Sequence, residues 1–142
     1  MIDISKIRGR LEGSLEDFPD YVEHKMIVSE KNSETKYGQI TFSKENCQKA
    51  GVLFKDYFNT NFELVTFKGN FKDKHFLDER LKYNLVRLSC KPFFTKLEPG
   101  DIIYFQPAGP NKIRVTKEEP IRKVLESAIR ILKVIEEFKK KL

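Results

Sequence analysis

The stretch Leu97-Glu-Pro-Gly-Asp-Ile-Ile-Tyr-Phe105 combines a tight turn with a strand of apolar and aromatic residues that follows it directly. Proline presets a turn backbone angle, and glycine accepts conformations that other residues avoid. The next segment, Ala108-Gly-Pro-Asn-Lys112, has the same turn character and leads into Ile113-Arg-Val-Thr116. Two strand-forming runs separated by so short a turn predict a β-hairpin late in a β-rich domain.

Four further strands are predicted upstream of this hairpin, where strand-forming residues are bounded by polar segments. They fall at residues 21–28, 37–42, 62–67 and 85–89. Ser43 is a typical N-cap for a short helix over residues 44–50, with Gly51 as its stop. We therefore expect a mainly β protein with flanking helices, an α+β fold, arranged as a small pseudobarrel of about six to seven strands with short helices.

Both ends of the chain show helical periodicity. Apolar residues at spacings of three and four predict one short N-terminal helix between Asp3 and Phe18, with Gly9 and Gly13 inside the pattern. Residues 121–142 place apolar side chains at alternating three- and four-residue spacing, which predicts a long C-terminal helix. We expect one domain over residues 1–117 and a C-terminal helix over residues 118–142 that packs or links to a further domain.

The charge of the chain favours polyanionic partners. The 142 residues include 27 Lys and Arg against 21 Asp and Glu, which gives a formal net charge of +6. Most of the surplus lies between residues 61 and 117, so it is concentrated in the middle of the chain. No apolar run approaches the about 18 residues that span a membrane, and no secretory leader is recognisable. We expect a cytoplasmic protein with no membrane partner.

The residue types that carry catalysis do not form a recognisable set. Cys47 and Cys90 lack the spacing of a zinc site or a disulfide framework. His24 and His75 have no neighbouring nucleophile, and the seven glycines form no phosphate-binding loop. We therefore expect no catalytic residue, no metal ion and no cofactor, and a chain that is not an enzyme by itself.

Two polar segments are suited to nucleic acid. The first, Lys31-Asn-Ser-Glu-Thr-Lys-Tyr37, joins the first two predicted strands and offers cations, an amide, hydroxyls and a ring. These groups hold phosphates and read base edges. The second segment, residues 68–83, alternates cations with Phe71, Phe76 and Tyr83. Such alternation lets rings pack or stack while cations displace the counterions of a polyanion.

The order of these parts resembles the plant B-three-type DNA-binding pseudobarrel, which plant transcription factors share with the DNA-recognition domains of some bacterial restriction enzymes. The resemblance covers residues 21–117, and its most specific element is the Gly100-Asp101 turn before the apolar strand. Members of this family grip the major groove of DNA with two arms. The resemblance implies that residues 1–117 are a DNA-binding pseudobarrel domain, although the tryptophan common in plant members is absent.

The resemblance also implies a function and a set of contacts. The function is sequence-specific binding of double-stranded DNA, as the target-recognition domain of a bacterial restriction-modification enzyme. Cleavage would then belong to a nuclease or a nucleotide-driven domain or subunit. Contacts on or beside the first arm are assigned to Lys31, Asn32, Ser33, Thr35, Lys36, Tyr37, Gln39 and Lys44. Contacts on the second arm are assigned to Asn70, Lys72, Lys74, His75, Arg80 and Lys82. We expect base reading by Asn32, Lys36, Gln39 and one of His75 or Arg80.

Three other functions fit parts of the sequence. A barrel that binds single-stranded nucleic acid or RNA would stack bases on Tyr37, Phe71 and Tyr83. A protein-assembly module would use the heptads of the C-terminal helix as its contact. A compact nuclease would draw on the carboxylates of Asp20 and Glu23 to hold a divalent metal.

Overall fold

The computed structural model describes residues 2–27 and 36–142 of the chain. Within these residues the strands are β1 (Val22–Lys25), β2 (Gln39–Thr41), β3 (Phe62–Thr66), β4 (Gly69–Lys74), β5 (Phe76–Glu79), β6 (Leu85–Ser89), β7 (Ile102–Pro107) and β8 (Lys112–Thr116). The α-helices there are α1 (Ile4–Ser14), α2 (Lys44–Leu53), α3 (Arg80–Tyr83), α4 (Lys91–Phe94) and α5 (Ile121–Lys140). The predicted α+β class with a long C-terminal helix is confirmed.

Residue contacts divide the chain into two compact units. The helical unit comprises Met1–Asp20 and Glu119–Leu142, and the strand unit comprises Tyr21–Glu118. The N-terminal helix therefore belongs to the same unit as the C-terminal helix. The predicted division into domains of residues 1–117 and 118–142 stays a prediction.

The eight strands of the strand unit form two sheets. The first has the order β1-β7-β8-β3-β4, and every neighbouring pair is antiparallel except β3 and β8. The second is the antiparallel order β2-β6-β5. Within residues 2–27 and 36–142 these sheets do not close into a barrel. The strands exceed the expected six to seven because the second polar segment, predicted as an arm, forms β4 and β5.

One cluster of buried apolar side chains joins both sheets to α2 and α4. Phe76 of β5 is 2% exposed and stacks on Phe54 at the C-terminal end of α2, with ring centroids 5.4 Å apart. Phe42, just after β2, meets Phe105 of β7 edge-to-face at 5.5 Å. Burying such a ring stabilises the fold by about 1.5–3 kcal/mol. These contacts fix the second sheet against the first.

The turns and caps follow local sequence rules. The side chain of Ser43 accepts a hydrogen bond of 3.2 Å from the Asn46 backbone N–H and N-caps α2. The helix continues through Gly51 to Leu53, two residues beyond the predicted stop. The predicted hairpin is confirmed as β7 and β8. Gly100 precedes it with a φ of +89° and donates its N–H to the Met26 carbonyl at 2.8 Å.

In the helical unit, α1 and α5 run antiparallel. Arg8 near the start of α1 bonds Glu136 near the end of α5 at 2.9 Å. Arg122 at the start of α5 donates to the carbonyl of Phe18 beyond α1 at 3.3 Å. Asp3 N-caps α1. None of the helices in the described ranges combines the length and apolar character needed to cross a membrane.

Candidate nucleic-acid interface

The three-stranded sheet has one buried face and one open face. Ile40, Phe76 and Leu88 lie across from one another on the buried side and belong to the core. Because successive side chains of a strand alternate between faces, their neighbours point the other way. We define the outer sheet face by these neighbours, which are Gln39, Thr41, Leu77, Arg87 and Ser89. Gln39 lies opposite Ser89, and Arg87 lies between Thr41 and Leu77.

A recess of about 300 Å³ opens at one side of the outer sheet face. Its lining residues are Asp73, Lys74, His75, Leu77, Arg87 and Ser89. Lys74 ends β4 in the first sheet, and Phe76 begins β5 in the second, so His75 alone connects these two strands. Asp73 adopts a left-handed backbone with a φ of +56° where the chain makes this change. The crossing places a lysine and a histidine beside Arg87.

Arg87 is held on the outer sheet face and keeps donors available. Its Nη1 lies 3.6 Å from Glu79 Oε2. The two groups form an ion pair, but this distance is too long for a hydrogen bond. The Arg87 side chain is 35% exposed. A guanidinium carries five N–H donors in a planar fork that suits bidentate acceptors. Arg87 is therefore positioned to bind an acceptor pair presented to this face.

The end of the first predicted arm lies beside the same face. Tyr37 is 59% exposed, and Lys36 Nζ sits 5.3 Å from the centre of its ring. Gly38 follows with a φ of +67°, and its carbonyl accepts a hydrogen bond of 2.8 Å from the Cys90 N–H. Gly38 also packs directly against the backbone of Lys91. Lys36, Tyr37 and Lys91 thus border the end of the face that carries Gln39.

Arg80, the other predicted base-reading candidate of the second arm, is engaged within the fold. Its Nε and Nη2 each bond a carboxylate oxygen of Asp78 at 2.7 Å. Its guanidinium lies 4.5 Å from the ring centre of Phe58 and packs against Gly51. The bonds from Arg80 hold the pKa of Asp78 below its ordinary value. These contacts give Arg80 a clear part in holding α3 against α2.

The remaining predicted contacts are spread over other elements. Lys44 is exposed in the first turn of α2, and Lys82 lies over the ring of Tyr83 at 5.0 Å on α3. Asn70 and Lys72 are exposed on β4, at the edge of the first sheet. The structure therefore brings together Lys36, Tyr37, Gln39, Lys74 and His75. Four predicted residues of the first arm lie outside the described residues: Lys31, Asn32, Ser33 and Thr35.

Sequence reasoning missed Thr41, Arg87 and Ser89. All three lie in segments that were predicted as strands. The alternation of apolar and polar residues along these strands indicates which side chains face outward. In Leu85-Val-Arg-Leu-Ser89 the apolar Val86 and Leu88 alternate with Arg87 and Ser89, and the structure buries the former pair. Polar residues on the open face of a half-buried strand are accessible to a ligand, so Arg87 and Ser89 could have been predicted as site residues.

Among the described residues, no group of three His, Cys, Asp or Glu side chains is placed to hold a metal ion. His24 is 7% exposed and packs edge-to-face on Phe42 at 6.1 Å. Burial raises the pKa of the Cys47 and Cys90 thiols, which keeps them protonated and poorly nucleophilic. The chemistry available at the outer sheet face is hydrogen bonding and charge.

The chain has no significant match among protein-family models, and no curated protein matches it in sequence. The outer sheet face and its bordering cations are therefore interpreted from their geometry alone.

Proposed function

We propose that this chain binds double-stranded DNA in a sequence-specific manner through the outer sheet face, as the recognition module of a bacterial restriction system. The observation that carries the proposal is the convergence of Gln39, Arg87 and Ser89 on one open sheet face. Lys74 and His75 stand at its side in the same recess as Arg87 and Ser89. A surface that recognises a DNA sequence needs side chains that contact base edges, next to cations that bind phosphates.

The side chains divide into two roles. An arginine pairs with the O6 and N7 acceptors of guanine, a glutamine with the N6 and N7 of adenine, and a serine with several base edges. Arg87, Gln39 and Ser89 take these roles. Their strands β2 and β6 are neighbours in the three-stranded sheet, with backbones about 5 Å apart. Lys36, Lys74 and Lys91 at the borders hold phosphates.

Duplex binding is favoured over stacking on single strands by the state of the aromatic residues. Phe71, one of three rings that a stacking surface would use, packs on the core, with its centroid 6.1 Å from that of Phe93. Tyr37 and Tyr83 are exposed, and each has the ammonium of the preceding lysine over its ring. The five residues that define the outer sheet face include no ring. Base stacking is the main source of affinity for single strands, so this face suits an unperturbed duplex better.

On this proposal the chain recognises the DNA sequence, and a different domain or subunit cleaves the DNA. The base-reading groups of the outer sheet face bind without making or breaking bonds. A nuclease or a nucleotide-driven domain or subunit would supply the cleavage, in the bacterial cytoplasm.

The test is fluorescence anisotropy of the purified chain with a duplex chosen from a random pool, with the matching single strand as competitor, at two salt concentrations and without metal. We expect duplex binding that weakens with salt. Arg87→Gln is compared with Arg114→Gln, which removes an exposed arginine from β8 on the first sheet. The Arg87 change should cost about 1–3 kcal/mol, or about 5- to 150-fold, on the selected duplex.

Three results would contradict the proposal. Tighter binding to the single strand would favour a stacking surface. If Arg87→Gln and Arg114→Gln lower the affinity for the duplex equally, the effect comes from arginine charge in general and not from the outer sheet face. If Arg87→Gln weakens binding to the selected duplex and to a scrambled duplex by the same factor, Arg87 does not recognise sequence. Thermal melts of both variants establish that each is folded when it is titrated.

A further inference from the structure

The long helix α5 carries two apolar stripes, and only one of them packs on α1 within the part of the chain that the structure describes. Leu125, Ile129 and Leu132 follow one another at spacings of four and three on the α1 side, and Ile129 is 6% exposed. Arg8 and Lys133 bridge the helices beside this stripe. The second stripe is a regular heptad seam made of Ile121, Val124, Ala128, Ile131, Ile135, Phe138 and Leu142.

The heptad seam is exposed along its length. The exposed fractions of its six large side chains run from 37% for Ile135 to 91% for Leu142. An exposed apolar stripe of this length can supply much of the about 800 Å² that each partner contributes to a standard stable interface. Contiguous apolar patches of this size mark interaction sites on soluble proteins. The seam is about 30 Å long at 1.5 Å per residue.

The exposed charges at the two ends of α5 fit a second copy of the same helix. Glu119 and Lys140 already form ion pairs with residues of the helix, as do the two basic residues of its first turn. Glu118 before the helix and Lys139 and Lys141 at its end are exposed. A second copy lying parallel would set these lysines against lysines. A second copy lying antiparallel sets Lys139 and Lys141 of each helix beside Glu118 of the other, and it also opposes the two helix dipoles favourably.

We infer that two copies of this chain dimerise through the heptad seam of α5 as an antiparallel coiled coil. The three- and four-residue spacing provides knobs for the holes of an identical helix, and the contact is closed by a two-fold axis. Glu118 before the helix and Lys139 and Lys141 at its end favour the antiparallel orientation. This inference concerns the helical unit and is independent of the proposed DNA binding.

The mass of the chain in solution tests the dimer. Sedimentation equilibrium from about 1 to about 100 µM should show a shift from the chain mass of 16.7 kDa towards twice that value. Ile131→Glu, at the centre of the seam, should weaken the dimer at least 100-fold. Leu81→Glu on α3 is the matched control, because Leu81 is fully exposed and lies outside the seam. Circular dichroism melts verify that both variants fold.

Charge reversal tests the orientation. Lys139→Glu with Lys141→Glu should weaken the dimer about 10-fold or more, and adding Glu118→Lys should restore it, since the ends are then complementary again. A wild-type chain that stays monomeric at about 100 µM overturns the inference. A dimer that is as tight with Ile131→Glu as with Leu81→Glu also overturns it. If Glu118→Lys does not restore the dimer of the lysine variant, the antiparallel arrangement is wrong.

Discussion

Replacing Gly38 by alanine should destabilise the strand unit, because two independent costs meet at this residue. Gly38 has a φ of +67° immediately before β2. A Cβ placed there would overlap the Lys91 Cα and lie 2.9 Å from the Lys91 N. The Gly38 carbonyl is meanwhile bonded to the Cys90 N–H, so the two segments cannot separate without breaking that bond.

The magnitude follows from these two costs. A left-handed backbone costs a non-glycine residue about 1–2 kcal/mol. Overpacking against a backbone that cannot rotate away costs about 1–3 kcal/mol. Alanine also stabilises the protein by about 0.4–1 kcal/mol, because it lowers the conformational entropy of the unfolded chain. The net loss of unfolding free energy for Gly38→Ala is therefore about 1–5 kcal/mol, with a central value of about 3 kcal/mol.

Urea unfolding followed by circular dichroism measures this loss. At a slope of about 1.5 kcal/mol per molar urea, a loss of about 3 kcal/mol lowers the midpoint by about 2 M. Gly100→Ala is the control, because Gly100 has a φ of +89° and no neighbouring atom within 4 Å of the position that an alanine Cβ would take. It should lose about 1 kcal/mol from backbone strain alone. Equal midpoints for the two variants would refute the close approach of Gly38 to Lys91.

Three further predictions concern charge and burial. Lys74→Gln should weaken all duplexes alike and lower the slope of log affinity against log salt by about 1, measured by anisotropy titrations. Cys47 and Cys90 should react with a thiol reagent only as fast as the fold opens, because both are buried and burial raises their pKa values; prompt labelling of native protein would contradict this. Wild type should be more stable than Arg80→Ala at about pH 7, and this advantage should shrink with acid, since the lowered pKa of Asp78 stabilises the fold only above the pH at which Asp78 is protonated. Urea midpoints from about pH 7 to about pH 2 measure that change, and a constant difference would exclude the Asp78 carboxylate as its source.

The parts of the fold that rest on neighbouring residues were predictable from the sequence. The turn at Gly100, the hairpin of β7 and β8 and the N-cap at Ser43 each depend on a few consecutive residues, and each is present. The second polar segment was harder to interpret because its charges suggested an exposed arm. Phe71 and Phe76 pack on the core, and the strands that carry them, β4 and β5, belong to separate sheets. Burial of rings outweighed the polar character of their neighbours.

Pairing between distant segments was not readable from the chain. Strand β3 lies parallel to β8, although about 50 residues separate them, and this pairing places the first sheet's strands out of chain order. The pairing of β2 with β6 likewise decides that Gln39 faces Ser89. A single sequence gives the faces of each strand but not the identity of its neighbour. The candidate site lies on such pairings, which explains why only part of it was anticipated.

Arg80 and Arg87 show most clearly what separates a structural cation from a candidate ligand-binding one. Both lie in a basic, strand-rich stretch, and both form an ion pair in the fold. Arg80 makes a bidentate bond to Asp78 and lies over Phe58, so one edge and one face of its guanidinium are engaged. Arg87 forms a longer ion pair to Glu79 across β5 and β6. A guanidinium contacts a base edge only through free donors in its plane. If the proposed function holds, loss of Arg87 should change which DNA sequence is bound, whereas loss of Arg80 should change stability.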